Sequence, residues 1–166
     1  MALNGPGVGA GGAWFPGVAD IVLASDKTYL QIPFSALGLV PENGSAITFA
    51  QSMGVHRANE FLMFGTKLSA AELERYGVVN KIFPFEGFQG HVRRYLADHL
   101  KDKDPKSMME VKRLQNASFR DQRIVAIFNS MDALAERFVE GAPFDRFKLK
   151  AQELEGRCSR RRAGER

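Results

Sequence analysis

Pro33-Phe34-Ser35-Ala36-Leu37-Gly38-Leu39-Val40-Pro41-Glu42-Asn43-Gly44-Ser45 sets one carboxylate, Glu42, in a bend bounded by proline, glycine and apolar side chains. A carboxylate on a solvated face keeps its ordinary acidity. One held among apolar neighbours is desolvated, which favours its neutral form and moves it toward the range where it exchanges protons with carbon acids. The same four letters, Pro-Glu-Asn-Gly, also make an ordinary turn, and Ser45 is in a position to cap a helix behind it. The positive end of that helix would oppose the desolvation. The surroundings of the bend therefore decide what Glu42 is for.

Upstream, Met1-Ala2-Leu3 runs straight into Asn4-Gly5-Pro6-Gly7-Val8-Gly9-Ala10-Gly11-Gly12, a glycine-dense loop with no element ahead of it to anchor it. Asp20–Ser25 reads as a buried strand and Thr28–Ile32 as a second, with Asp26-Lys27 as the turn between them. Downstream, helices are predicted over Ser45–Met53 and His56–Phe64, each stopped by a glycine, Gly54 and Gly65. Ser69-Ala70-Ala71-Glu72 is a capping box that opens a short helix closed by Gly77. Val78–Phe83 returns to strand character, and Phe88–Leu100 is helical with Val92, Tyr95, Leu96 and Leu100 on one face. After the charged turn Lys101–Lys106 the pattern is helical throughout: one helix from Ser107, a longer one over Asp121–Glu140, and a last over Phe144–Leu154. The chain is mixed α/β first and all helix afterwards, without internal repeats.

Composition narrows the function. At 166 residues and 45% hydrophobic, the chain can bury a sizeable core. No apolar run approaches the roughly 20 residues needed to span a bilayer. A lone Cys158 excludes an internal disulfide framework and suits a reducing compartment. Residues 101–166 hold 16 Lys/Arg against 11 Asp/Glu, much of the excess in Arg157, Arg160, Arg161, Arg162 and Arg166. Such a run attracts polyanions, but no aromatic residues interleave with it, which argues against a single-strand nucleic-acid groove. His56, His91 and His99 form neither an HxH nor an HExxH pattern, so no metal is expected. Gly7-x-Gly9-x-x-Gly12 matches the dinucleotide fingerprint by letter only. It follows too few residues for a preceding strand, Pro16 interrupts what comes next, and Asp20 and Asp26 come too early to be the ribose-binding acid. The other use of such glycines is to let backbone N–H groups approach a ligand oxygen.

Five segments in order carry a resemblance: Asn4-Gly5-Pro6-x-Val8-Gly9, Asp20–Asp26, Thr28–Glu42, Phe61-Leu62-Met63-Phe64-Gly65-x-Lys67-Leu68, and Gly77-Val78-Val79-Asn80-Lys81-Ile82-Phe83-Pro84. Together they resemble the crotonase (enoyl-CoA hydratase/isomerase) superfamily, and within it the peroxisomal Δ3,Δ2-enoyl-CoA isomerase branch, from Asn4 to about Leu154. The resemblance implies an α/β fold, the ClpP/crotonase ββα spiral, here without its N-terminal part. Residues 1–100 would form a partial core, and residues 101–166 a C-terminal helical trimerisation region with a basic tail.

The family's hydratases carry a first glutamate just after the glycine loop; that position falls here on Ala13 or Trp14. Glu42 sits where the isomerase branch keeps its single glutamate, so the resemblance implies a one-base acyl-CoA double-bond isomerase of fatty-acid β-oxidation. Glu42 would be the acid/base, and backbone N–H groups around Gly9, Ala10 and Gly11 would serve the oxyanion. Phe34 and Leu37 would line the substrate. Phe147-x-x-Lys150 would reach the coenzyme A held by a neighbouring subunit. The implied partners are an acyl-CoA substrate and two further copies of the chain, with no separate cofactor. The implied compartment is the peroxisome, with the mitochondrion as the alternative, although Ala163-Gly164-Glu165-Arg166 is not an S-K-L-type address. The family's first oxyanion donor and much of the coenzyme A cradle come from its N-terminal half, the second donor from the glycine loop. The competing expectation is therefore a non-catalytic crotonase-like subunit.

Overall fold

The computed structural model describes residues 1–164, without the side chains at positions 10, 14 and 157–164. The arginines of the basic tail and Cys158 lie outside the described side chains, and the terminal Glu165-Arg166 outside the described residues.

Two three-stranded sheets form the α/β half. In the first, β1 (Ala2–Leu3), β3 (Leu23–Ser25) and β6 (Lys81–Phe83) are all parallel, with Ala2 opposite Leu23 and Leu23 opposite Lys81. In the second, β2 (Gly7–Val8) lies parallel to β4 (Tyr29–Gln31), which pairs antiparallel with β5 (Leu68–Ser69). The first residues thus form strands β1 and β2 around the glycine loop, where the sequence suggested an unanchored loop. Their pairing partners lie more than 20 positions away, out of reach of local pattern. The hydroxyl of Thr28, itself buried, ties them down: it donates to the Leu3 carbonyl at 2.8 Å, accepts from the Gly5 N–H at 3.3 Å, and sits 3.2 Å from the Ser25 hydroxyl.

Helix α1 (Ala10–Val18) follows the glycine loop and carries Pro16 inside it, where the sequence read an interruption. Helices α2 (Ser45–Met53) and α3 (Val55–Phe64) match expectation, with the left-handed Gly65 ending the second. The capping box forms as read: the Ser69 hydroxyl accepts from the Glu72 N–H, and the Glu72 carboxylate accepts from the Ser69 N–H at 2.9 Å, opening α4 (Ala70–Arg75). Strand β6 is shorter than the predicted Val78–Phe83, because the Val78 and Val79 N–H groups close the turn onto the Leu73 carbonyl. Helix α5 (Phe88–Leu100) has the predicted ends.

The C-terminal half differs more. One 35-residue helix, α6 (Pro105–Val139), replaces the two predicted helices. Asp104 caps it, its carboxylate accepting the Ser107 N–H at 2.6 Å, and no glycine or proline between Leu114 and Asp121 stops it. After the left-handed Gly141, α7 covers Ala142–Gly164.

The main core gathers Leu30, Ile32, Phe34, Phe49, Phe61 and Leu73, all at most 2% exposed, with Phe49 edge-on to Phe61 at 5.1 Å. None of the described residues of α6 is buried, and Met109, Phe128 and Met131 are each about 60% exposed.

Candidate active site

The glycine loop is built for close packing. Strand β2 delivers the chain to Gly9, whose N–H donates to the Gln31 carbonyl at 3.0 Å and whose φ of +80° turns it into α1. A Cβ on Gly12 would stand 2.9 Å from the Gly7 carbonyl carbon and oxygen, and one on Gly7 would stand 2.5 Å from the Leu30 side chain. These glycines let a helix begin directly against a strand. The first i−4 bond of α1 runs from the Ala13 N–H to the Gly9 carbonyl at 3.2 Å. The N–H groups of Ala10, Gly11 and Gly12 lie ahead of it and have no carbonyl of their own helix to meet. They form a positive, donor-rich end suited to an oxyanion.

Because β2 and β4 are parallel, Gly9 and Pro33 leave the sheet at the same edge. The chain after Pro33 makes a 3₁₀ turn at Ser35–Leu37, with Phe34 buried and Leu37 half-buried. The Ser35 hydroxyl donates to the Leu62 carbonyl at 3.2 Å, fixing the turn to α3. Gly38, at φ +68°, lies so close to α7 that a Cβ would come 2.9 Å from the Ala142 carbonyl carbon and oxygen.

Glu42-Asn43-Gly44-Ser45 then closes a tight turn. The Ser45 N–H donates to the Glu42 carbonyl at 2.9 Å, with φ of 51° at Asn43 and 73° at Gly44. Positive φ at both central positions defines a type I′ turn, and Asn-Gly is its preferred pair. Gly44, and not Ser45, occupies the cap position of α2, because the turn holds Gly44 outside helical geometry and makes Ser45 the first helical residue. Isoleucine 127 and the Arg123 carbonyl of α6 lie against Gly44, so α6 clamps the turn from outside. Glu42 is half-buried, and no hydrogen bond or ion pair to its carboxylate is found among the described residues.

Helices α1 and α2 pack side by side, meeting at Gly17 and Thr48. A Cβ on Gly17 would meet the Thr48 hydroxyl at 2.3 Å, and a cleft of about 310 Å³ opens between their later halves, lined by Pro16, Gly17 and Asp20 on one side and Thr48, Gln51 and Ser52 on the other. Helix α6 crosses the pair: Arg123 donates to the Gln51 side chain at 3.2 Å, and Lys112 bonds Asp20 at 2.8 Å. Of the predicted site residues, Gly9, Ala10 and Gly11 lie at the start of α1, Phe34 and Leu37 at the 3₁₀ turn held to α3 and packed near α7, and Glu42 at the turn before α2.

Other predicted residues lie elsewhere. Phe147 and Lys150 are on α7; Phe147 is exposed, and the Lys150 ammonium bonds the Glu153 carboxylate at 2.6 Å. Ala13, one candidate for the missing first carboxylate, is packed in the core at 1% exposure, and the side chain of Trp14 is outside the description. His91 is half-buried and stacked on Phe83, while His99 bonds the Tyr95 carbonyl at 2.8 Å; both serve α5. No cluster of three or more His, Cys, Asp or Glu side chains that would hold a metal occurs among the described residues. The sequence reading missed the buried hydroxyls of Thr28 and Ser45. Only the Asn43-Gly44 pair signalled the turn that buries the second.

This framework, a glycine-opened helix set directly against a parallel strand, is matched by known proteins. The family model for enoyl-CoA hydratase/isomerase matches residues 1–142, and the chain belongs to that family. The chain is 31% identical over 153 residues to the Delta(3,5)-Delta(2,4)-dienoyl-CoA isomerase of Saccharomyces cerevisiae, covering 88% of this chain and 55% of the relative. It is 42% identical over 90 residues to the Enoyl-CoA delta isomerase 2 of Homo sapiens, covering 54% of this chain and 23% of that one. A crystal structure of an enoyl-CoA hydratase/isomerase from Pseudoalteromonas atlantica superimposes with a TM-score of 0.84 at 24% identity, over 92% of this chain and 60% of the other, which confirms the fold. The chain therefore spans about half the length of the yeast relative.

Proposed function

We propose that this chain carries the proton-transfer site of an acyl-CoA double-bond isomerase converting 3-enoyl-CoA to 2-enoyl-CoA in fatty-acid metabolism. The observation that supports this reading best is a half-buried carboxylate, Glu42, without a hydrogen bond or ion pair among the described residues, in a chain whose α1 opens with N–H groups that meet no carbonyl of their own helix. A hydratase needs two carboxylates to hold and split a water; an isomerase needs one base.

In this reading Glu42 takes the proton from C2, which the thioester acidifies. The C2–H electron pair becomes the C1=C2 bond of a dienolate as the carbonyl pair moves onto the thioester oxygen. When C4 is later protonated, the oxygen pair re-forms the carbonyl and the C1=C2 pair becomes C2=C3. Backbone donors of Gly11 and its neighbour Ala10 face that oxygen, each worth about 3–4 kcal/mol in comparable sites. The N–H of Gly9 already serves Gln31, so Gly9 contributes its backbone conformation. The carboxyl then returns its proton to C4, where the former C3=C4 pair receives it. Phe34 and Leu37 shape the acyl pocket. No separate cofactor enters the reaction.

Three copies of the chain would assemble through the exposed apolar residues of α6 and α7, with Phe147 and Lys150 reaching coenzyme A on a neighbour. Light scattering at micromolar concentration should give three times the chain mass, and Phe128→Glu should lower it. The compartment in this reading is the peroxisome or the mitochondrion.

The test is conversion of 3-hexenoyl-CoA to the conjugated 2-hexenoyl-CoA, followed by absorbance. Turnover that Glu42→Gln reduces by at least about 100-fold supports the assignment. Equal turnover in both proteins names the wrong base. Folded protein without turnover favours the non-catalytic subunit.

A further inference from the structure

Among the described residues, one buried side-chain polar atom has no hydrogen-bond partner: the hydroxyl oxygen of Ser45, in a residue only 1% exposed. A buried hydroxyl without a partner is costly, and native structures keep few of them. Ser45 lies three residues before Thr48, on the same side of α2. Thr48 faces Gly17 of α1, so Ser45 lies on the face of α2 that packs on α1. Across the type I′ turn the Ser45 N–H bonds the Glu42 carbonyl at 2.9 Å, which holds the two residues next to one another, and the Glu42 carboxylate has no partner among the described residues. The surroundings are otherwise apolar or satisfied: Phe49 and Ala13 are core residues, and the Thr48 hydroxyl donates to the Ser45 carbonyl at 3.3 Å.

We propose that Ser45 is a positioning residue for the proton transfer, its hydroxyl donating to one carboxyl oxygen of Glu42 when substrate fills the site. This rests on the reading of Glu42 as the base. With one oxygen held by Ser45, the other carries the proton from C2 to C4. The acid cannot turn to solvent between the two steps, and the C2 proton is retained. No atom of Ser45 is gained or lost in the cycle.

The experiment compares the parent chain with Ser45→Ala, Ser45→Thr and Glu42→Gln, using 3-hexenoyl-CoA in H2O and in D2O. Ser45→Ala should lower kcat about 10-fold, the effect of one hydrogen bond to a charged group. It should leave KM within about 2-fold and raise the deuterium found at C4. Its thermal midpoint should equal or exceed that of the parent, because an unsatisfied hydroxyl has been removed. Ser45→Thr keeps the donor and should keep both the rate and the proton retention. Unchanged kcat and unchanged deuterium in Ser45→Ala overturn the inference. A lower kcat with unchanged deuterium also overturns it, since that marks a merely structural role. No turnover in the parent, or full turnover in Glu42→Gln, overturns the functional reading and this inference with it.

Discussion

Substituting Gly17 by alanine tests the joint that holds the two helix starts together. The new Cβ would fall 2.3 Å from the Thr48 hydroxyl oxygen and 2.8 Å from its Cβ, against 3.4 Å for ordinary contact. Rotating Thr48 about χ1 does not clear the second contact, because Cβ does not move. The helices must therefore part by something approaching 1 Å. Overpacking of this kind costs about 1–3 kcal/mol. Alanine's better helix propensity offsets at most about 1 kcal/mol, and less here because Gly17 is next to the end of α1. The net expectation is a loss of about 1–2 kcal/mol. For a chain of this size that lowers Tm by roughly 3–6 °C. The assay is thermal unfolding followed by circular dichroism on Gly17→Ala, Thr48→Ala and the double variant. Thr48→Ala removes the hydroxyl and methyl but keeps Cβ, so the double variant should recover part of the loss, with a coupling of about 1 kcal/mol. A Gly17→Ala protein that melts at or above the parent, with no coupling to Thr48, would refute the close approach and the side-by-side geometry argued from it.

Two further expectations test the supports of the site. Gly38→Ala places a Cβ against backbone atoms of Ala142 and asks a non-glycine residue to hold φ +68°; it should cost about 2 kcal/mol or more, measured by urea unfolding, and lower turnover by displacing the Pro33–Ser45 segment. Hydrogen bonds from the Ser69 hydroxyl and backbone N–H hold the Glu72 carboxyl below the usual carboxylate range. A group depressed in the folded state contributes stability above its unfolded pKa and loses it as pH falls through the folded value. Ser69→Ala should thus cost about 0.5–1 kcal/mol at neutral pH, and the gap between the two unfolding curves should narrow as pH falls through the depressed Glu72 value, leaving the part owed to the Glu72 N–H bond.

Some of this protein is written locally. The Ser69–Glu72 capping box, the helix stop at Gly65 and the ends of α5 follow from caps and periodicity within a few residues, and each forms where read. Asn43-Gly44 determines a type I′ turn by itself, because few other pairs adopt positive φ twice in succession. The family, too, was legible in the ordered set of short motifs. Tertiary structure decided the rest. Strands β1 and β2 are two residues each and exist only through partners more than 20 positions away. Helix α1 forms across Gly11, Gly12 and Pro16, against local propensity, because Gly7 and Gly12 let it pack on its own strand. Ser45 looked like a cap in sequence, yet the turn before it shifts the cap to Gly44 and buries its hydroxyl. That the glycine loop and the segment leading to Glu42 leave the sheet at one end is likewise a consequence of parallel pairing between β2 and β4. Sequence fixes which groups are available, whereas the sheet fixes which end of the molecule they share.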